Sequence, residues 1–178
     1  MNAGDAVLLA LIGIYLLVFM PPAMRRIQFQ SSVVARCTPM EAFALVSDPN
    51  NWPRYVPELS LRSRVRTPVK LGDLIEDRVV WNGVTHDAVE RVIAYEPGER
   101  FATQVVGGHG TTGEYELFAA DGGTLINYRC RATLTLLEAW AGYGFRRGHL
   151  AAKLKEVRDP IMERIKNVLE AEPSPVSV

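Results

Sequence analysis

Residues 124–136 read TLINYRCRATLTL, and their reading decides the fold. Ile126, Tyr128, Cys130, Ala132 and Leu134 alternate with Asn127, Arg129, Arg131 and Thr133. A period of two puts the first set on one face of a strand and the second on the other, so the strand is half-buried with the first set inward. Further on the period changes. From His149 to Ala171 apolar residues fall at Leu150, Leu154, Val157, Ile161, Ile165, Val168 and Leu169, which suits a helix. Pro160 lies inside it, so a kink or break is expected near Arg158-Asp159. The strand thus precedes a long amphipathic C-terminal helix. The segment between them, LEAWAGYGFRRG, carries three glycines and three aromatics and fits neither period.

Working toward the N-terminus, Asp121-Gly122-Gly123 joins this strand to another over Thr112–Ala119. A looser glycine-rich link, 107–110, separates that from a strand over Arg100–Val106. Leu74–Trp81 and Val84–Tyr95 flank Asn82-Gly83, the strongest short hairpin signal. A further strand is expected over Leu59–Val69, and Ile27–Cys37 reads as the first of the domain. Between these two, Thr38-Pro39 with Glu41 signals a capped helix start, and PMEAFALVS follows. Asp48-Pro49-Asn50-Asn51 breaks that helix, and Asp48 or Asn50 can cap a second short turn carrying Trp52 and Tyr55. The order is strand, two short helices, six strands, long helix. Antiparallel strands with helices on one side make the class α+β.

Ahead of the domain, Ala6–Met24 is AVLLALIGIYLLVFMPPAM, without a charge. A helix of that length spans about 28 Å, near the hydrocarbon thickness of a bilayer. A cleaved signal would want a positive flank before the run and a small-residue site after it. Here Asp5 precedes and Arg25-Arg26 follow. A retained single-pass anchor is the favoured reading; a signal peptide and a soluble helix are the others. Basic residues after the span place the N-terminus outside and the domain in the cytoplasm. The expected organisation is an anchor with its flanks over 1–26, one domain over 27–172 and a disordered tail over 173–178.

Twenty basic and twenty acidic residues cancel, which argues against nucleic-acid binding. Cys37 and Cys130 lack metal or redox spacing and read as buried free thiols. The three histidines have no i, i+4 spacing, so no metal site is expected. There is no G-x-S-x-G elbow, and the glycines at 107, 108, 110 and 113 lack the Walker lysine. No cofactor is expected. His86 and Glu90 share a strand and are candidates for a proton-transfer pair or a polar ligand handle if they face inward, or else a solvated row.

Three segments carry a resemblance: TPMEAFALVSDPNNWPRYVP, VIAYEPGERF and DGGTLINYRCRATL. They resemble the opening helix pair, the turn after the second hairpin strand and the final hairpin of the START-like (SRPBCC) superfamily, which includes polyketide cyclase/dehydrase-like and birch-pollen-allergen proteins. The resemblance implies a helix-grip fold, in which a curved sheet wraps the C-terminal helix around a cavity for hydrophobic molecules. None of the three segments is a catalytic signature.

By pattern, Trp81, Tyr115, Leu117, Ile126, Tyr128 and Cys130 from strands, with Leu150, Leu154, Val157 and Ile161 from the helix, line that cavity. The plain alternative is a filled core. Arg25, Arg26, Trp140, Tyr143, Arg146 and Arg147 combine aromatics with positive charge and suit a membrane interface. Three functions compete: a membrane-anchored module holding a lipid, quinone, isoprenoid or pigment; an accessory subunit of an integral membrane complex; and a cyclase- or dehydratase-like enzyme.

Overall fold

The structure, a computed structural model, describes residues 4–9, 11, 13, 26–81, 83–107, 110–133 and 147–171. Seven antiparallel strands form one sheet: β1 (Arg26–Ala35), β2 (Leu59–Leu61), β3 (Leu74–Trp81), β4 (Val84–Glu96), β5 (Arg100–Val105), β6 (Thr112–Ala120) and β7 (Gly123–Thr133). Their spatial order is β1-β7-β6-β5-β4-β3-β2, so every neighbour is a hairpin partner except β1, which pairs with β7. The helices packed on the sheet are α1 (Pro39–Ser47), α2 (Trp52–Tyr55) and α3 (Arg147–Ala171), with a 3-10 turn over Pro49–Asn51. This is the α+β, helix-grip arrangement expected, with α3 lying along β1 and α1 over β5, β6 and β7.

Local chemistry explains the short helices. Thr38 and Glu41 form a reciprocal capping box at the start of α1, with Pro39 at its first position. Asp48 Oδ1 accepts from the Asn50 amide and starts the 3-10 turn. Trp52 Nε1 donates to the Val46 carbonyl at 3.0 Å, tying α2 back to α1. The core beneath is formed by Phe43, Val46, Tyr55, Ile75, Val92, Phe101, Ile126, Met162 and Ile165. Tyr95 bridges Phe43 and Phe101 edge-on, with centroids 5.0 and 6.3 Å away.

Two expectations are corrected. The strand over Leu59–Val69 is only Leu59–Leu61. Beyond it the backbone of Val65 bonds to the Asn50 side chain through both its amide and its carbonyl, in place of a strand partner. Nor does α3 break at Pro160; it is helical from Arg147 to Ala171. Pro160 is exposed on the solvent side, while Ile161, Met162 and Ile165 anchor the same region in the core.

β4 carries a bulge between Val92 and Ala94. The extra residue, Ile93, is 39% exposed. It reverses the alternation, so that Glu90 and Val92 share the inner face with Tyr95. The expected span over 6–24 lies mainly outside the described residues. Among those described, no helix is long and apolar enough to cross a membrane.

Candidate functional site: a cavity around Arg158

A cavity of about 120 Å³ opens between α2 and β2 on one side, the inner face of β4–β7 below, and α3 above. Trp52, Val56, Leu59, Phe101 and Val105 give it apolar walls. Glu90, Thr103, Thr111, Tyr55, Tyr115, Tyr128 and Arg158 supply its polar atoms.

Arg158 is the central group. It sits on the stripe of α3 that also buries Met162 and Ile165, so the helix carries its guanidinium inward. The guanidinium carbon lies 3.6 Å from the Tyr128 ring centroid and 5.5 Å from that of Tyr115. One terminal nitrogen donates to the Tyr115 hydroxyl. Nε is sealed from solvent and has no hydrogen-bond partner among the described residues. The two tyrosine rings are 4.9 Å apart and tilted at 55°. Tyr128 reaches this position because β6 has a glycine beneath it: a Cβ on Gly113 would stand 2.9 Å from the Tyr128 hydroxyl oxygen.

Electrostatics follow from burial. Desolvation raises Glu90 above the ordinary carboxyl range, against the opposing pull of its Thr103 hydrogen bond and of Arg158. Asp77, on β3, is 1% exposed and has an unpartnered Oδ1. Burial, reinforced by the neighbouring Glu90 charge, pushes it up to about 7. Burial also raises the Tyr55, Tyr115 and Tyr128 hydroxyls and the Cys130 thiol, so all four stay protonated. The Tyr55 hydroxyl lies beside that of Tyr115 without closing a hydrogen bond of full geometry. The arrangement offers hydrogen-bond donors, one fixed cation and a carboxyl able to exchange a proton.

The residues expected to line the cavity separate into groups. Tyr115 and Tyr128, directly paired across β6 and β7, do line it. Leu117 and Ile126 are the next inward pair along, and there the core of α1 and α3 fills the space, leaving them 5% and 0% exposed. Ile161 joins that core as well. Cys130 is half-buried on the same row of β7. Leu150 and Leu154 pack on Ile27 in a separate cluster near the start of β1. Val157 is 37% exposed, because the inward stripe of α3 passes through Arg158 instead. The side chain of Trp81 lies outside the described residues.

Glu90 and His86 do not form a pair. Four strand residues separate their backbones by about 13 Å, and His86 is exposed near the hairpin end of β4 while Glu90 lines the cavity. Arg26 is exposed at the start of β1. Arg25, Trp140, Tyr143, Arg146 and the side chain of Arg147 lie outside the described residues. Arg158 is the cavity residue that reading the sequence missed. Its signal was position: it stands four residues after Leu154 and four before Met162, a cation on an apolar stripe.

Comparison with known proteins agrees with this fold. The chain matches the family described as "Polyketide cyclase / dehydrase and lipid transport" over residues 26–170. No curated protein sequence matches it. Among solved structures, the di-domain ARO/CYC protein BexL of the BE-7585A biosynthetic pathway superposes with a TM-score of 0.68 at 16% identity, covering 96% of this chain and 58% of its own. StfQ, the di-domain ARO/CYC of the steffimycin biosynthetic pathway, gives 0.64 at 15% identity, covering 84% of this chain; the present chain spans only 52% of StfQ. A protein from Rhodobacter sphaeroides gives 0.61 at 20% identity, covering 86% of this chain and 97% of its own. These likenesses are of fold. Over residues 26–170 the chain belongs to the polyketide cyclase/dehydrase and lipid transport family.

Proposed function

We propose that this domain is a binding module that holds a hydrophobic small molecule between its sheet and α3. The observation that carries this reading is the cavity: about 120 Å³ with aromatic and aliphatic walls and a few polar groups converging on Arg158. Ligand pockets combine apolar walls with a few placed polar groups in this way. A cavity of about 150 Å³ is known to accept benzene, so the enclosed part of the ligand is one ring or a short alkyl end. The remainder extends toward the mouth. Lipids, quinones, isoprenoids and pigments all fit that description.

Solvent extraction and mass spectrometry of the purified protein should recover a lipophile. Thr111→Trp, which places an indole against the cavity, should lower its yield to background while the fold survives. A wild-type protein without lipophile, or a Thr111→Trp variant with undiminished content, would sink the reading and favour an accessory subunit.

An enzyme, cyclase- or dehydratase-like, is the second reading. The convergence of Glu90, Arg158 and Tyr115 on one cavity favours it, since a carboxyl with a raised pKa beside a hydrogen-bonding cation suits proton transfer at an enolisable carbon. In that case Glu90→Gln retains ligand but loses turnover.

The domain is further proposed to work at the cytoplasmic face of a membrane. Residues 4–9 are helical, and Val7, Leu8, Leu9 and Leu11 are nearly 60% exposed (59%, 59%, 58% and 59%), an apolar surface uncovered by the domain. Alkaline carbonate extraction should leave the full chain in the membrane pellet. Quantitative release would remove the anchor from the proposal and leave the cavity untouched.

A further inference from the structure

We propose that the cavity receives its ligand with an anionic oxygen foremost, carried on a single ring and docked on Arg158. This deepens the hydrophobic-ligand reading above and rests on it. The first ground is the state of the guanidinium. Its described partners are the Tyr115 hydroxyl and the faces of Tyr115 and Tyr128. No ion pair among the described residues includes it. A cation taken out of water without a counter-ion is costly, and proteins keep such groups paired or hydrogen-bonded.

The second ground is the orphaned donor. Nε lies inside the site with no acceptor among the described residues. A ligand oxygen arriving there would restore a charge-assisted hydrogen bond that the protein leaves open. The residues around it do not substitute for that oxygen. The tyrosine hydroxyls remain neutral, and Glu90, the carboxyl that lines the same cavity, makes no hydrogen bond or ion pair with the guanidinium among the described residues.

The third ground is shape. Tyr128 covers one face of the guanidinium, and Trp52, Phe101 and Tyr115 line the space beyond it. Flat aromatic walls and a volume of about 120 Å³ suit one six-membered ring against the guanidinium. The ligand class is therefore a monocyclic carboxylate, phenolate or enolate, any longer apolar substituent running out through the mouth.

Benzoate and benzamide are the probes, equal in shape and different in charge. Titrated into the purified protein and followed through the Trp52 indole resonance, benzoate should bind at least about tenfold more tightly than benzamide, as expected for one charge-assisted hydrogen bond. Arg158→Met should lose that preference, and Arg158→Lys should keep part of it. Arg158→Met should also melt no lower than wild type, because an apolar side chain replaces an uncompensated cation. That rise or parity in melting distinguishes lost recognition from lost folding. Equal binding of the two probes to wild type overturns the anion inference and leaves the hydrophobic cavity standing. Undiminished benzoate preference in Arg158→Met overturns it too. If neither probe binds, both the inference and the cavity reading fall.

Discussion

Asp77→Asn should stabilise the protein at pH 8 and leave it unchanged at pH 4. Asp77 is 1% exposed, on the inner face of β3, with one carboxylate oxygen unpartnered. Its pKa rises from 3.8 to about 7, first from burial and then from Glu90. The sign follows from linkage. Well below pH 4 the carboxyl is protonated in folded and unfolded chains alike, and carries no penalty. Between about pH 4 and pH 7 the unfolded chain ionises while the folded one holds its proton, so stability is lost as pH rises. Above pH 7 the loss is constant. Three units at 1.36 kcal/mol each set an upper bound of about 4 kcal/mol. An amide has nearly the carboxyl's shape and no charge to desolvate, so the variant escapes the loss. Urea unfolding at several pH values measures the difference between variant and wild type. It should be near zero at pH 4, grow through neutrality and level off by pH 8. A difference independent of pH would show that Asp77 already has its charge compensated in the folded state.

The second large effect is a loss. Gly123→Ala should cost about 4 kcal/mol or more, beyond the range of ordinary substitutions. A Cβ there would stand 2.0 Å from the Ala35 carbonyl oxygen and 2.9 Å from the Arg36 Cα, both backbone atoms, at and just beyond the end of the β1–β7 ladder. The backbone is also at φ +148°, which side chains disfavour. Gly122→Ala is the internal control. Gly122 has φ +83° with nothing within 4 Å, so only the left-handed conformation is penalised, by about 1–2 kcal/mol. Chemical denaturation of the two variants side by side decides the matter. Similar midpoints would mean that the junction of β1 and β7 relaxes freely, and that the close approach is not a constraint.

Much of the architecture was legible because local signals agreed with one another. The capping box at Thr38, the Asn82-Gly83 turn and the alternation from Ile126 to Ala132 each require only near neighbours. What escaped was non-local. The bulge at Ile93 reverses the alternation of β4, so a single parity could not place both Glu90 and Tyr95 inward. The short β2 depends on Asn50 capturing Val65 from 15 residues away. The site was half legible for the same reason. Tyr115 and Tyr128 follow from strand alternation, but apolar periodicity on α3 pointed to Val157, and Arg158 shows only as a cation interrupting the stripe between Leu154 and Met162. Arg158 is admitted to the interior by the Tyr128 ring, and that ring by the absence of a side chain at Gly113.

The pairing of β1 with β7 also bears on how the chain acquires its fold. The first strand of the sheet to be made is hydrogen-bonded to the last, Ala35 opposite Thr124 and Arg26 opposite Thr133. At roughly 5–20 residues per second of synthesis, β1 waits on the order of 5–20 s before its partner exists. The other strands zip as hairpins in the meantime, in order of emergence, from β3 to β7. Docking of β1, and of α3 along it, is therefore a late and long-range event, and refolding should be slow relative to helical proteins of the same size. Until that moment the inner edge of β7 is open, and the nascent domain is at its most vulnerable to pairing with a neighbouring chain.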